Sequence, residues 1–298
     1  MANRREFLNA AAATAWATTL TSAQATAKDE PKSKYPPTWM NLAVNIEMTW
    51  GKMPVLDKIR KVADLGFTQY EFWPWRGKDI DAIAKLNDKL GLKTSQFSCH
   101  WGITSPEKRA GFLDDVKKAV EVAKILNVHK TCVVAGEMTK GLSLEAQNQA
   151  VVDSLKAAAE IVSPADVTII LEPLNVLVDH PHQLIVHSAH AAEILKAVGS
   201  SHVKMLFDCY HQQISEGNLS GNIRKYHDLI GYYQIGDHPG RHEPGTGEVN
   251  YAHVFRVIRE VGYDGAIGME FSPKSSPEAA FEAVRAFDRA AREGKPCA

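Results

Sequence analysis

Three apolar runs in this 298-residue chain end on a carboxylate, and a fourth carries an amide near its end. Val167-Thr-Ile-Ile-Leu leads into Glu172-Pro173, Val203-Lys-Met-Leu-Phe into Asp208, Ala266-Ile-Gly-Met into Glu270, and Gly231-Tyr-Tyr into Gln234. The intervals from 172 to 208, 208 to 234 and 234 to 270 are each about one βα unit long. A repeated βα unit closing into a parallel barrel carries the C-terminal ends of its strands to one rim, so the spacing predicts a shared site. Three converging carboxylates repel one another unless a cation lies among them. An all-oxygen set of Glu172, Asp208, Gln234 and Glu270 favours a hard divalent metal, Mg²⁺ or Mn²⁺, over Zn²⁺. The alternative is that the carboxylates pair with Arg or Lys at the rim. Two glutamates with a metal between them suit proton transfer: the metal acidifies a carbon beside a carbonyl, one carboxylate takes the proton to leave an enediolate, and a carboxylate returns it. Glu172 and Glu270 are the expected catalytic pair.

The Gln234 run opens into a loop that extends to Tyr251 and carries Asp237, His238, Arg241, His242, Glu243 and Glu248 among Pro239, Gly240, Pro244, Gly245 and Gly247. A loop this polar and this stiffened by Pro and Gly, following a strand, is where α/β folds put chemistry. His238 and His242 have a spacing that ligates zinc on a helix, but Pro239-Gly240 forbids the helix and the zinc reading with it. Two further strand ends are aromatic: Glu71-Phe-Trp73-Pro-Trp75-Arg76 and Phe97-Ser-Cys-His100-Trp101. Trp73, Trp75 and Trp101 are expected to form a stacking wall for a sugar ring or open-chain polyol, with His100 beside them as a substrate contact.

These residues need elements to hold them. Strand-like runs at 40–46, 69–72, 93–99, 130–134, 167–171, 203–207, 229–235 and 266–271 alternate with helix-like runs at 54–65, 78–90, 106–126, 143–162, 186–198, 219–228, 251–261 and 277–293. Gly66, Gly91, Gly199 and Gly262 read as helix stops, and Ser105-Pro106 and Ser143 as starts. The alternation predicts a single-domain α/β (β/α)8 TIM barrel. An open doubly wound sheet is the alternative, and its nucleotide-binding forms are disfavoured because neither GxGxxG nor GxxxxGK[ST] occurs.

The net charge of −1 supplies no basic field for nucleic acid. Cys99, Cys132, Cys209 and Cys297 lack metal-finger spacing, and the first three sit in or beside strand-like runs as buried thiols. Asn3-Arg4-Arg5-Glu6-Phe7-Leu8 precedes an Ala/Thr-rich run and two small-residue cleavage motifs, Ala23-Gln-Ala25 and Ala25-Thr-Ala27. This resembles a twin-arginine export signal over residues 1–27 and implies a periplasmic protein. Residues 28–37 read as a linker and 38–298 as the barrel, and no run is long enough to span a membrane.

Leu171-Glu-Pro-Leu-Asn175, Phe207-Asp-Cys-Tyr-His-Gln-Gln213, Gly268-Met-Glu-Phe271 and, above all, Gln234–Tyr251 closely resemble the hydroxypyruvate isomerase family of the xylose-isomerase-like TIM-barrel superfamily. The resemblance implies that Glu172 and Glu270 are paired catalytic glutamates that also bind metal, with Asp208 and Gln234 as the other two ligands. It implies that His211 and Arg241 contact a small hydroxy-carbonyl or sugar substrate, a guanidinium suiting a carboxylate-bearing one. It also implies a homo-oligomer. The chain departs from the pattern after Asn175: Val176-Leu-Val-Asp-His-Pro-His182 replaces an arginine-containing segment, and Val178 stands where ketose epimerases carry a second glutamate. His180 and His182 are the polar residues that segment offers instead. Isomerisation is the leading expectation, with ketose epimerisation, inosose-type dehydration and non-catalytic sugar binding as alternatives.

Overall fold

A computed structural model describes residues 35–295. The expected signal at 1–27, most of the expected linker and Cys297 lie outside the described residues. Eight strands, β1 (Asn41–Asn45), β2 (Gln69–Pro74), β3 (Lys93–Trp101), β4 (Lys130–Val134), β5 (Thr168–Glu172), β6 (Val203–Asp208), β7 (Ile230–Ile235) and β8 (Ala266–Met269), lie side by side in chain order. All pairs are parallel, and β1 pairs with β8 to close the ring, as the alternation predicts.

Among the described residues the intervening α-helices are α1 (Val55–Asp64), α2 (Ile80–Leu90), α3 (Arg109–Leu126), α4 (Leu144–Val162), α5 (Ser188–Val198), α6 (Cys209–Ser215), α7 (Leu219–Tyr226), α8 (Tyr251–Glu260) and α9 (Pro277–Glu293). Ser143 Oγ accepts from Ala146 N at the start of α4, and Gly91 and Gly199 end α2 and α5 in the left-handed conformation, whereas Ser105 opens a three-residue 3-10 turn before α3 without a side-chain cap bond. Helix α6 is an addition to the expected set. At seven residues it is too short to show a helical period, and its cap is Asp208, which the spacing had assigned to chemistry alone.

The apolar residues form two cores. The larger one lies between the barrel and its helices; the smaller one, Ala43, Cys132, Val134, Ile170, Leu174, Leu206, Tyr232 and Ala266, draws chiefly on the strands. Side chains on a strand alternate between faces, so the residue two positions on shares the side of each of these. From Ala43 that residue is Asn45, from Ile170 Glu172, from Leu206 Asp208, and from Tyr232 Gln234. The polar layer is therefore stacked on the apolar one by the two-residue period, and adjacent strands hold it level: Asn45 lies opposite Glu71, Val134 opposite Glu172, and Asp208 opposite Gln234.

Helix α9 closes the chain against its own entry. Asp288 accepts from Trp39 N and Met40 N, both at 2.7 Å, and the Arg285 guanidinium lies 4.4 Å over Tyr35 and 4.1 Å over Phe67.

Candidate active site

The C-terminal rim opens into a cavity of about 550 Å³ whose wall includes Glu172, Gln234, Glu270, His211 and Arg241. Trp73, His100 and Trp101 also line it, together with Cys132 and His180. Asp208 lies just behind this wall, fully buried, and reaches it through Arg241. Trp75 does not line the cavity but packs at the edge of the outer core with Arg76 over its ring, so the aromatic wall is Trp73 and Trp101.

Glu270, just past β8, is held by three side chains. Its Oε1 accepts from Trp73 Nε1 at 2.6 Å and Asn45 Nδ2 at 3.1 Å, and its Oε2 accepts from Arg241 Nη2 at 2.6 Å. Arg241 Nη2 also donates to Asp208 Oδ2 at 3.2 Å. The other Asp208 oxygen caps α6 by accepting from Tyr210 N at 2.9 Å. Glu172 is held more loosely: Oε2 accepts from the Cys132 thiol at 3.5 Å, and Oε1 lies 3.9 Å from His211 Nε2. Gln234 donates Nε2 to Glu71 Oε1 at 2.8 Å, while its Oε1 is buried without a partner.

Burial sets the electrostatics. It pushes Glu172 well above the usual carboxylate range, and Glu270 and Asp208 push it further. Asp208 is pushed up to about 7 by burial, against the pull of Arg241. Burial alone would lower the Arg241 pKa, but Glu270, Asp208 and Glu172 hold it above its ordinary value. Three buried carboxylates, Glu172, Asp208 and Glu270, thus lie around one guanidinium that pairs directly with only two of them, and Glu71 is buried next to Glu270. Such a set takes up either protons or a further cation. Glu172, Asp208, Gln234 and Glu270 are the residues that could hold one, and Glu172, Asp208 and His211 bring ligand-capable atoms within 4.8 Å of one another.

His211 is fixed through its far nitrogen. Nδ1 accepts from Asn175 Nδ2 at 2.7 Å, so in the neutral ring Nε2 carries the hydrogen and points it toward Asp208 Oδ2, 3.5 Å away. Burial, helped by Arg241 and His180, holds its pKa well below the ordinary histidine value and keeps the ring neutral. His180 lies between His211 and Trp101, with ring centroids 5.3 and 5.5 Å away; His182 does not line the cavity. Both His100 ring nitrogens are engaged, Nδ1 by Asp115 at 2.7 Å and Nε2 by the Gly102 carbonyl at 3.1 Å.

The loop from Gly236 to Asn250 is built around Asp237, which is fully buried. Its Oδ2 accepts from Gly245 N at 2.8 Å and Gly247 N at 3.0 Å, and its Oδ1 from His238 N at 3.0 Å and Val249 N at 3.1 Å. Arg241 sits in this frame at φ 52°, in the left-handed region that a non-glycine residue occupies only when its surroundings impose it. Its guanidinium lies 4.8 Å over the Tyr210 ring, and its Nε is buried without a partner.

Residues that sequence reasoning passed over complete the set. Glu71 is fully buried and accepts from Asn45, Gln96 and Gln234. Asn175 orients His211, and Asp179 accepts from Asn175 Nδ2 and the Tyr210 hydroxyl. A lone carboxylate between Tyr70 and Phe72 was the available signal for Glu71. Room for it comes from Gly268, where a Cβ would fall 2.4 Å from Glu71 Oε2. Gly268→Ala is expected to cost about 1–3 kcal/mol, the usual range for overpacking, read as a lowered denaturant midpoint with an unchanged slope.

A closed parallel barrel with convergent carboxylates, an unpartnered amide oxygen and an arginine at its C-terminal rim has the architecture of a TIM-barrel enzyme. The chain belongs to the xylose isomerase-like TIM-barrel family, whose model matches residues 59–290. It is similar to the hydroxypyruvate isomerase of Escherichia coli (strain K12), 31% identical over 253 residues that cover 80% of this chain and 96% of that one. It is similar also to the 2-oxo-tetronate isomerase of Pectobacterium atrosepticum, 31% identical over 79% of this chain and 93% of the relative. Among solved structures, a family 2 AP endonuclease from Brucella melitensis superposes with TM-score 0.77 at 29% identity, covering 80% of this chain and 96% of that one. These relatives support an isomerase of the hydroxypyruvate isomerase kind. No helix among the described residues is long and apolar enough to cross a membrane.

Proposed function

We propose that this protein is a divalent-metal-dependent isomerase that moves a proton between adjacent carbons of a small hydroxy-carbonyl substrate, with hydroxypyruvate and its conversion to tartronate semialdehyde as the nearest model. The observation that carries the reading is the buried Gln234 Oε1, which has no partner yet lines a cavity shared with Glu172 and Glu270. A buried acceptor left unmet is costly, and a cation meets it. Glu172, Asp208, Gln234 through Oε1, and Glu270 would hold Mg²⁺ or Mn²⁺, because all four offer hard oxygen donors. Bound there, the ion would polarise the substrate carbonyl and its neighbouring hydroxyl.

The rest falls to the chain's own residues. Glu172 and Glu270 reach the cavity from β5 and the end of β8, three places round the ring, so one can remove a proton and the other deliver it. His211 Nε2–H and the free Nε–H of Arg241 are donors for substrate oxygens, and the Arg241 charge suits a carboxylate. Trp73 and Trp101 cover the apolar side of the cavity and limit water. The twin-arginine motif is the ground for export to the periplasm in this reading.

One observation favours a second reading. A cavity of about 550 Å³ with two indoles in its wall has more room than a three-carbon acid fills. The same proton transfer on a larger hydroxy-ketone would give epimerisation, or dehydration if a hydroxyl leaves.

The test is exchange of the substrate carbon-bound hydrogen in deuterated water, with hydroxypyruvate, ketohexoses and an inosose each offered. Exchange should stop after chelation, return with Mn²⁺ or Mg²⁺, and give a product with the substrate's formula apart from the deuterium taken up. Exchange untouched by chelation sinks the metal, loss of water replaces the isomerase by the dehydratase, and no exchange with any substrate defeats the enzymatic reading.

A further inference from the structure

A glutamine that serves as an oxygen ligand has an orientation problem. Its amide is nearly symmetrical in shape but opposite in chemistry at its two ends: one is an acceptor, the other a double donor. Turned over, Gln234 would present hydrogens to a cation. The contact that decides between the two is outside the ligand set, on the far side of the amide.

We propose that Glu71 is a positioning residue that fixes the Gln234 amide with its oxygen toward the cavity. With Asn45 and Gln96 donating to its two oxygens, Glu71 presents acceptors, and the amide end of Gln234 that faces it is nitrogen. Gln234 Nε2 accordingly donates to Glu71 Oε1 at 2.8 Å. Two further amides compose the cradle: Asn45 Nδ2 donates to the same oxygen at 2.9 Å, and Gln96 Nε2 to Glu71 Oε2 at 3.0 Å. Three donors to one buried carboxylate offset part of its desolvation, although burial and the neighbouring Glu270 still push its pKa up to about 7. Gly268 completes the cradle by leaving the volume that the carboxylate occupies. Asn45 Nδ2 also reaches Glu270 Oε1 at 3.1 Å, so the cradle touches two of the four residues assigned to the metal. Its members come from β1, β2, β3 and β7, which makes it a property of the closed barrel rather than of any one segment.

The inference rests on the reading that Gln234 is a cation ligand, and the experiment separates the two. Mn²⁺ binding is measured by calorimetry and by the paramagnetic resonance of free ion, without substrate, on wild type, E71Q, Q234E and the exchanged pair E71Q/Q234E. In E71Q the nitrogen that replaces one oxygen must face either Gln234 and Asn45 or Gln96, so an acceptor is no longer guaranteed at the Gln234 end and that amide is free to turn over. Affinity is expected to fall about 10–100-fold, the usual effect of removing a residue that orients a metal ligand. In the exchanged pair the amide at position 71 donates to a carboxylate at 234, whose second oxygen is again available, and affinity is expected to return. A merely electrostatic role for Glu71 also predicts recovery in the pair, whose total charge is unchanged, so the pair tests the 71–234 contact and the orientation of the amide separates positioning from charge.

The orientation is read independently in selectively ¹⁵N-glutamine-labelled protein. The Gln234 side-chain amide, assigned by its loss in Q234E, should exchange slowly with solvent in wild type and quickly in E71Q. Wild-type Mn²⁺ affinity in E71Q overturns the proposal, as does an exchanged pair that folds yet binds no better than E71Q. If wild type binds no Mn²⁺, the metal reading fails and the amide exchange alone decides whether Glu71 holds Gln234. If E71Q does not fold, recovery of fold and binding in the exchanged pair supports the contact and its absence refutes it.

Discussion

Glu270→Gln is expected to abolish hydrogen exchange at the substrate carbon, with a loss of about 10²–10⁴-fold, the range associated with a positioned acid–base group. The side chain has no spare capacity to absorb the change. Trp73 and Asn45 donate to one oxygen and Arg241 to the other, so the new amide nitrogen must face a donor whichever way it turns. The variant therefore loses its base and disturbs Arg241 together, and KM should rise as kcat falls. Glu172→Gln should lose activity to a similar degree but differ in stability. Its carboxylate has only the Cys132 thiol and a distant His211 as partners, and burial with Glu270 and Asp208 disfavours its charge. A carboxyl with a raised folded pKa costs stability at pH above its unfolded pKa, as a proton taken up or a crowded charge, and glutamine removes that cost. At neutral pH metal-free Glu172→Gln should therefore melt above metal-free wild type, whereas Glu270→Gln should not. Thermal melts with and without chelator, beside the exchange assay, check both parts. Full exchange in either variant would remove that residue from catalysis.

Asp237→Ala is expected to be the most damaging change outside the cavity. One carboxylate receives the amides of His238, Gly245, Gly247 and Val249, and no neighbouring group is placed to replace it. Leaving buried donors unmet costs about 1–3 kcal/mol each before relaxation, and the loop can recover part of this only by opening to water. Opening releases Arg241 from its left-handed conformation, which only the folded loop imposes. Activity should fall by the margin of Arg241→Ala, while the far side of the barrel keeps its stability. Hydrogen–deuterium exchange locates the effect: amides between 237 and 249 should lose protection and those of β2 to β4 should not. An unchanged loop with full activity would leave Asp237 as ordinary packing.

The alternation of strands and helices could be read from the chain because each element carries its own period and its own stop signals. The four polar strand ends could be read for the same reason: position along a strand fixes which face a side chain takes. Partnerships between strands could not. Glu71 and Gln234 are 163 residues apart, and nothing local to either names the other. The same limit explains Asn45 and Gln96, whose meaning lies in the acceptor they share. Trp75 misled because it stands two residues from Trp73 in sequence, while the strand ends at Pro74 and the chain turns away beyond it. Asp208 was half read, as a carboxylate for the site but not as the cap of a seven-residue helix.

The small inner core has a consequence for traffic. Ala43, Cys132, Ile170, Leu206, Tyr232 and Ala266 are all nearly or fully buried and pack together beneath the polar layer, so the barrel is a blind well rather than a tunnel. Whatever enters at the C-terminal rim, where Trp73 and Trp101 are exposed, must leave by the same rim. Under the proposed function, reactant and product would share that one opening, and changes at the rim could set the pace of turnover without altering the floor.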